Sequence, residues 1–179
     1  MENEKHAAQS WYALKVFHNR LAAISGLLEQ EGVETFVPKM KTTVVDRGGH
    51  KVSQEKPLVN SLMFIHTAKE DAERIDSAYA GKAMVYKRLG GMREVAPIPD
   101  SEMHVFRLVT DNMVSAVDYL GSDTERYMVG ERVRVTDGPL KGSEGHICRI
   151  KGNRRLVVSI AGVCAVATSY IPQCFLQKI

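Results

Sequence analysis

The stretch Val129-Gly130-Glu131-Arg132-Val133-Arg134-Val135-Thr136-Asp137-Gly138-Pro139-Leu140-Lys141-Gly142-Ser143-Glu144-Gly145 decides how this chain is read. Val133 and Val135 alternate with Arg132, Arg134 and Thr136, the period of a strand with one buried face. Asp137-Gly138-Pro139 ends that strand, because Gly admits positive φ while Pro fixes φ and lacks a donor. Gly138, Gly142 and Gly145 are read as turn glycines, the last two punctuating a short loop before the apolar Ile147. Downstream, Leu156-Val157-Val158-Ser159-Ile160, Cys164-Ala165-Val166-Ala167 and Cys174-Phe175-Leu176 are short runs separated by Gly or Pro. Such spacing predicts a small closed β-barrel over residues 128–179. A helical alternative is opposed by the Val and Ile content and by Pro139, Gly142, Gly145, Gly152, Gly162 and Pro172.

Upstream the pattern changes. Trp11-Tyr12-Ala13-Leu14-Lys15-Val16 has the aromatic and branched content of a first strand. Asn19 is expected to cap a helix whose buried face is Leu21, Ile24 and Leu28, with Gly32 as its stop. Thr35-Phe36-Val37-Pro38 opens a strand that Thr42-Thr43-Val44-Val45 continues. Asp46-Arg47-Gly48-Gly49-His50 is a turn, and Lys51 begins the return of a hairpin with a polar, projecting tip. Ser61-Leu62-Met63-Phe64-Ile65-His66 is apolar enough for the centre of a sheet.

Thr67-Ala68-Lys69-Glu70 matches a capping box ahead of a helix carrying Ala72, Ile75 and Tyr79 on one face. Ala83 to Leu89 reads as a further strand. Asp100 or Ser101 can cap a third helix facing inward with Met103, Phe106, Thr110, Met113 and Val117. The interleaving predicts an α+β domain over 1–120, with an ordered core over about 10–118 and helices covering an antiparallel sheet. Residues 121–127 read as a polar linker.

The 179 residues are 44% hydrophobic and 25% charged, an ordinary composition for a globular protein. No run is long enough for a membrane helix, and the polar start lacks the order of a secretory signal. No membrane association is expected, and a cytoplasmic location is. Cys148, Cys164 and Cys174 form no C-x-x-C and the six His are scattered. No zinc site is therefore expected, and the thiols are read as reduced, mostly buried barrel residues.

Net charge is +3, concentrated late: residues 121–179 hold nine basic and five acidic side chains. That is compatible with a weak, salt-sensitive phosphate contact or with an ordinary solvated surface. No nucleophile–base or metal-hydrolase motif is present, and Gly138, Gly142 and Gly145 match neither a P-loop nor a dinucleotide fingerprint. Neither enzymatic activity nor a cofactor is expected.

The run from Val129 resembles a KOW motif, the entry to an SH3-like barrel in proteins that work on RNA polymerase or the ribosome. Trp11-Tyr12, Phe36-Val37-Pro38, Pro57-Leu58 and the KOW run occur in an order similar to that of the NusG family, which joins an N-terminal NGN domain to a C-terminal KOW barrel. The segment from Pro57 to Ile65 is closer to specialised paralogues of the RfaH and UpxY type. Two departures stand out: Leu62 where the family usually has an aromatic residue, and Asn60 near a usual Pro. Ser143 stands near where housekeeping members carry an aromatic barrel-loop anchor for Rho or a ribosomal protein.

The resemblance implies a transcription elongation and antitermination factor that binds the clamp helices of the largest RNA polymerase subunit and suppresses pausing or termination, and its specialised type implies action at particular operons. It implies a polymerase-binding patch at Trp11, Leu62 and Phe64. All three can instead pack under the helices, Trp11 more readily than Leu62 and Phe64, with Tyr12 and Ile65 on the opposite face. Non-template DNA or RNA contact is implied for His18, Arg20, Arg47 and Lys51, which are otherwise solvated surface. A docking face for RNA or a ribosomal protein is implied around Gly138, Lys141, Gly142, Gly145 and Arg149, within the wider basic set Arg132, Arg134, Lys151, Arg154 and Arg155. A monomer is expected. The rival reading is a ribosome-associated RNA-binding KOW protein, which would not need the first domain.

Overall fold

A computed structural model describes residues 8–87, 94–111, 117–168 and 171–179. In chain order the elements are β1 (Gln9–Val16), α1 (Leu21–Gln30), β2 (Glu34–Phe36), β3 (Lys39–Val45), β4 (Lys51–Pro57), β5 (Leu62–Ala68), α2 (Lys69–Ala78), β6 (Ala83–Val85), β7 (Pro97–Ile98) and α3 (Asp100–Asp111). They continue with β8 (Asp118–Gly121), β9 (Glu131–Val135), β10 (Glu144–Ile150), β11 (Asn153–Ile160), β12 (Cys164–Ala167) and β13 (Leu176–Lys178), with 3-10 turns at Glu125–Tyr127 and Gln173–Phe175. The described residues fall into two compact units: the chain up to Val37 with Asn60–Asp100, and Pro38–Val59 with Ser101–Ile179.

The first unit is built on an antiparallel sheet ordered β2-β5-β1-β6, with β7 also pairing β1. The apolar run predicted to be central is β5, flanked by β2 and β1. Tyr12, Leu14 and Val16 of β1 and Met63 and Ile65 of β5 share one buried cluster with Leu21, Ile24 and Leu28 of α1 and Ala72 and Ile75 of α2. Both helices therefore cover the same sheet face. Each such side chain, taken wholly out of water, contributes about 1.5–3 kcal/mol if it is a Val, Leu or Ile.

Neither the Asn19 cap nor the Thr67 capping box forms. Asn19 lies one residue too early, at φ 54, and Arg20 occupies the cap position without a side-chain bond. The capping box fails because Thr67 is still strand, paired opposite Ser10 and buried, so Ala68 is the cap. The strand expected to run from Thr35 to Val45 is two strands, since β2 pairs β5 while β3 pairs only β4. Of the run Ala83 to Leu89, β6 covers only Ala83–Val85 and Lys87 bridges Val95; Arg88 and Leu89 lie outside the described residues. On α3, Met103, Phe106, Val109 and Thr110 are buried; Val117 is buried beyond the helix, and Met113 lies outside the described residues.

The second unit contains the β3–β4 hairpin, α3 and a six-stranded antiparallel sheet, β13-β9-β10-β11-β12-β8. This is the all-β KOW region. Asp118–Gly121, read from sequence as the end of the first domain and the start of a linker, pairs with β12 as β8. Cys174 and Phe175 lie in a 3-10 turn rather than a strand.

Gly138 and Gly142 have φ of +83° and +89°, as turn glycines should. Gly145 does not: it is a strand residue of β10, opposite Val133. A Cβ there would sit 3.0 Å from Leu156 Cδ1 and closer still to the Val157 carbonyl oxygen. Gly145 is thus required by the close approach of β10 to β11 rather than by a turn. No helix among the described residues is long and apolar enough to cross a membrane.

Gly145→Ala is expected to destabilise the protein by about 1–3 kcal/mol, because the obstacle is backbone that cannot yield. Gly26→Ala, in α1 with nothing within 4 Å of the added Cβ, is expected to stabilise by about 0.5–1 kcal/mol. Denaturant unfolding of both variants checks the contrast; equal effects would refute it.

Candidate functional site

The register of β1 with β5 places Trp11 opposite His66, Ala13 opposite Phe64 and Lys15 opposite Leu62. Because Tyr12, Leu14, Met63 and Ile65 face the helices, Trp11, Leu62 and Phe64 lie together on the other face. Phe36 of β2 stands opposite Phe64, with ring centroids 6.1 Å apart. Trp11 stacks on His66 at 4.9 Å, and His66 Nδ1 is 3.3 Å from Glu34 Oε2. The three patch residues are thus brought onto one face. As an exposed patch the reading needs correction: Trp11 is 7% exposed, Leu62 3% and Phe64 0%. A fully buried side chain offers a partner no surface.

The loop between β1 and α1 holds His18 and Asn19 at φ 57 and 54, two successive non-glycine residues in the left-handed region. Asn tolerates that conformation; for His it costs about 1–2 kcal/mol. The strain turns the chain sharply and leaves His18, Asn19 and Arg20 exposed. At the β3–β4 tip, Asp46 Oδ1 accepts bonds from the Gly48 and His50 amides at 2.8 and 2.9 Å. These bonds, the one from His50 foremost, hold its carboxyl below the usual range. The turn presents Arg47 and Lys51 exposed, with no ion pair among the described residues, although Val44, Val45 and Val52 are exposed beside them. The tip is therefore less polar than expected.

Much of the basic surface of the second unit is neutralised. Arg132 and Arg134 both bind Glu144, at 3.0 and 2.6 Å. Arg155 binds Asp118 at 2.6 Å, and Arg154 and Lys178 both reach Glu131, Arg154 at 3.7 Å. Arg126, Lys141, Arg149 and Lys151 have no anionic partner among the described residues. The sequence could not distinguish these free cations from the paired ones, since pairing depends on cross-strand register. Gly138, Lys141 and Gly142 share one tight loop, whereas Gly145 and Arg149 lie along β10.

Ser143 is fully buried. Its amide donates to the Leu140 carbonyl at 3.0 Å, its carbonyl accepts from Val135 at 2.8 Å, and its Oγ has no partner among the described residues. The exposed part of this loop is Thr136, Asp137, Pro139, Lys141 and Gly142. Ser143 is therefore a packing position, and the lack of an aromatic side chain there does not distinguish a specialised from a housekeeping protein. The cysteines are free: Cys164 is buried and its thiol pushed up to about 12 by desolvation, Cys148 is half-buried, and Cys174 is exposed, contrary to expectation. No group of three or more potential metal ligands occurs among the described residues.

A helix-backed antiparallel sheet followed by a KOW-type β sheet is the two-part architecture of NGN–KOW transcription factors. The family model NusG, described as transcription termination factor nusG, matches residues 9–107, from β1 into α3 and over half of the chain. The chain belongs to the NusG family, which comprises non-enzymatic transcription elongation and termination factors that bind RNA polymerase. It is also similar to a solved structure described as "Domain interaction in Thermotoga maritima NusG", at 16% identity and TM-score 0.47, over 96% of this chain and 98% of that one. No curated protein matches.

Arg134 first, then Arg132, holds the Glu144 carboxyl below its ordinary range. A depressed folded pKa stabilises above the unfolded value, and the contribution is lost as pH falls through the lowered folded value. Arg134→Ala is expected to move the Glu144 titration upward by NMR and to flatten the acid limb of the stability profile; an unmoved titration would show the pair to be inert. Ser143→Ala removes an orphan hydroxyl whose burial costs about 1–3 kcal/mol. It is expected to raise the melting temperature, and a fall would reveal an overlooked bond.

Proposed function

We propose that the protein binds the clamp helices of the largest RNA polymerase subunit through the sheet face carrying Trp11, Leu62 and Phe64, and suppresses pausing or termination. The observation that carries this reading is the extent of the family match, residues 9–107, which includes the whole sheet. The alternation that puts three large apolar side chains on one face supports it, since apolar and aromatic anchors supply most association energy in such docking. Their burial in the free chain sets a condition: the face has to be uncovered for a partner to meet it.

His18, Arg20, Arg47 and Lys51 are proposed contacts to the non-template strand. The strained turn at His18 and Asn19 supports this for the first pair, because such strain persists where surroundings enforce it and often accompanies function. The unpaired cations at the hairpin tip support it for the second. Action at a particular operon, and recruitment of a ribosomal protein through the loop carrying Lys141, belong to the same reading.

Purified RNA polymerase is expected to retain the full chain, and the chain is expected to shorten pauses in single-round transcription. Retention by ribosomal RNA but not by polymerase would replace this reading with the ribosomal one. Phe64→Ala is expected to lose about 3–5 kcal/mol of stability, so the volume-conserving Leu62→Met serves as the interface test. It should change polymerase affinity while leaving the melting temperature within a few degrees. The double variant Arg20→Ala, Lys51→Ala should weaken binding to a bubble-bearing complex more than to polymerase alone.

A further inference from the structure

The KOW region carries a groove of about 460 Å³ at the end of the β10–β11 hairpin, beside the 3-10 turn Glu125–Tyr127. Leu120, Tyr127 and Val129 form part of its wall, and Arg126, Arg149 and Lys151 line it as cations. The Cys148 thiol donates to the Tyr127 carbonyl at 3.3 Å, which ties the 3-10 turn to β10.

Three features here oppose stability. Lys151 and Gly152, at φ 49 and 84, form the two-residue turn between the paired residues Ile150 and Asn153. Such a turn favours Asn-Gly; a Lys in the left-handed region costs about 1–2 kcal/mol. Next along the ladder, Arg149 stands directly opposite Arg154, and like charges in that relation repel. Arg154 turns to Glu131, which leaves Arg149 without an anion. Finally, Val129 is 86% exposed and Met128 48%. Elsewhere on this sheet Arg132, Arg134, Arg155 and Lys178 are all paired. Unpaired positive charge is thus concentrated where apolar surface is left bare.

We propose that this groove binds an acidic segment of a partner protein that bears one apolar anchor residue. Its carboxylates meet Arg126, Arg149 and Lys151, and its anchor enters beside Tyr127 and Val129. Charge complementarity selects an anion, and the mixed wall selects among anions. Single-stranded nucleic acid binds along successive aromatic platforms, whereas Tyr127 is the only aromatic side chain among the described residues that line this groove. A peptide needs one apolar slot and a few cations. The proposal does not depend on polymerase binding.

The test uses the full chain and fluorescein-labelled twelve-residue peptides of alternating Asp and Glu, with Leu or Ser at the centre, followed by anisotropy in low salt. The Leu peptide is expected to bind at least about tenfold more tightly than the Ser peptide. Lys151→Asn combined with Arg149→Thr is expected to weaken the Leu peptide at least about tenfold, with the melting temperature unchanged or higher. A binding loss without a stability loss is the signature that a structural role would not give. Equal binding of the two peptides, no loss in the double variant, or tighter binding of a uridine dodecamer would each overturn the proposal.

Discussion

The antiparallel pairing of β1 with β5, from Gln9 opposite Ala68 to Lys15 opposite Leu62, governs the first unit. Side chains alternate along each strand, so this one register commits Tyr12, Leu14, Met63 and Ile65 to the helix side and Trp11, Leu62 and Phe64 to the other. A slip of one residue would exchange the two sets and strand the faces of α1 and α2 without partners. Burial against both helices is what makes that slip prohibitive. The proposed docking face and the position of the strained β1–α1 loop both refer back to this pairing.

In the second unit the corresponding constraint is close backbone approach. Gly145 lets β10 come against the Val157 carbonyl, and Gly130 does the same beneath the Ile147 carbonyl. With that spacing set, Arg134 stands opposite Glu144 and His146 opposite Arg132. Glu144 can then take both arginines, and the charge of β9 is spent inside the sheet. Burial and the charge of Arg132 together lower the His146 pKa, so this neighbourhood gains no further positive charge near neutral pH. What remains available to a partner is Lys141 in the β9–β10 loop and, at the far end of the hairpin, Arg149 and Lys151 with Arg126 beside them.

Local patterns were legible where the physics is local. The period-two alternation of Val133 and Val135, the apolar continuity of β5, the helical spacing of Leu21, Ile24 and Leu28 and the positive-φ glycines at 138 and 142 all read correctly. Errors arose where a non-local partner outweighed a local preference. Thr67 had the composition of a cap but was held in β5 by Ser10. Asp118–Gly121 looked like a domain end and a linker but found β12. Gly145 looked like a turn residue, although its reason is the carbonyl of a strand that arrives later in the chain.

The sequence by itself determined the α+β-then-β order, the central strand, the turn chemistry and the residues from which a NusG-type factor is built, because periodicity and backbone permission act within a few residues. Tertiary structure alone decided that Trp11, Leu62 and Phe64 share a face and lie buried on it. It also decided that Ser143 is a packing residue, and which of the late cations are free. Each of these depends on what another segment, distant in sequence, brings within a few ångströms, and neither exposure nor charge pairing exists until that segment is in place.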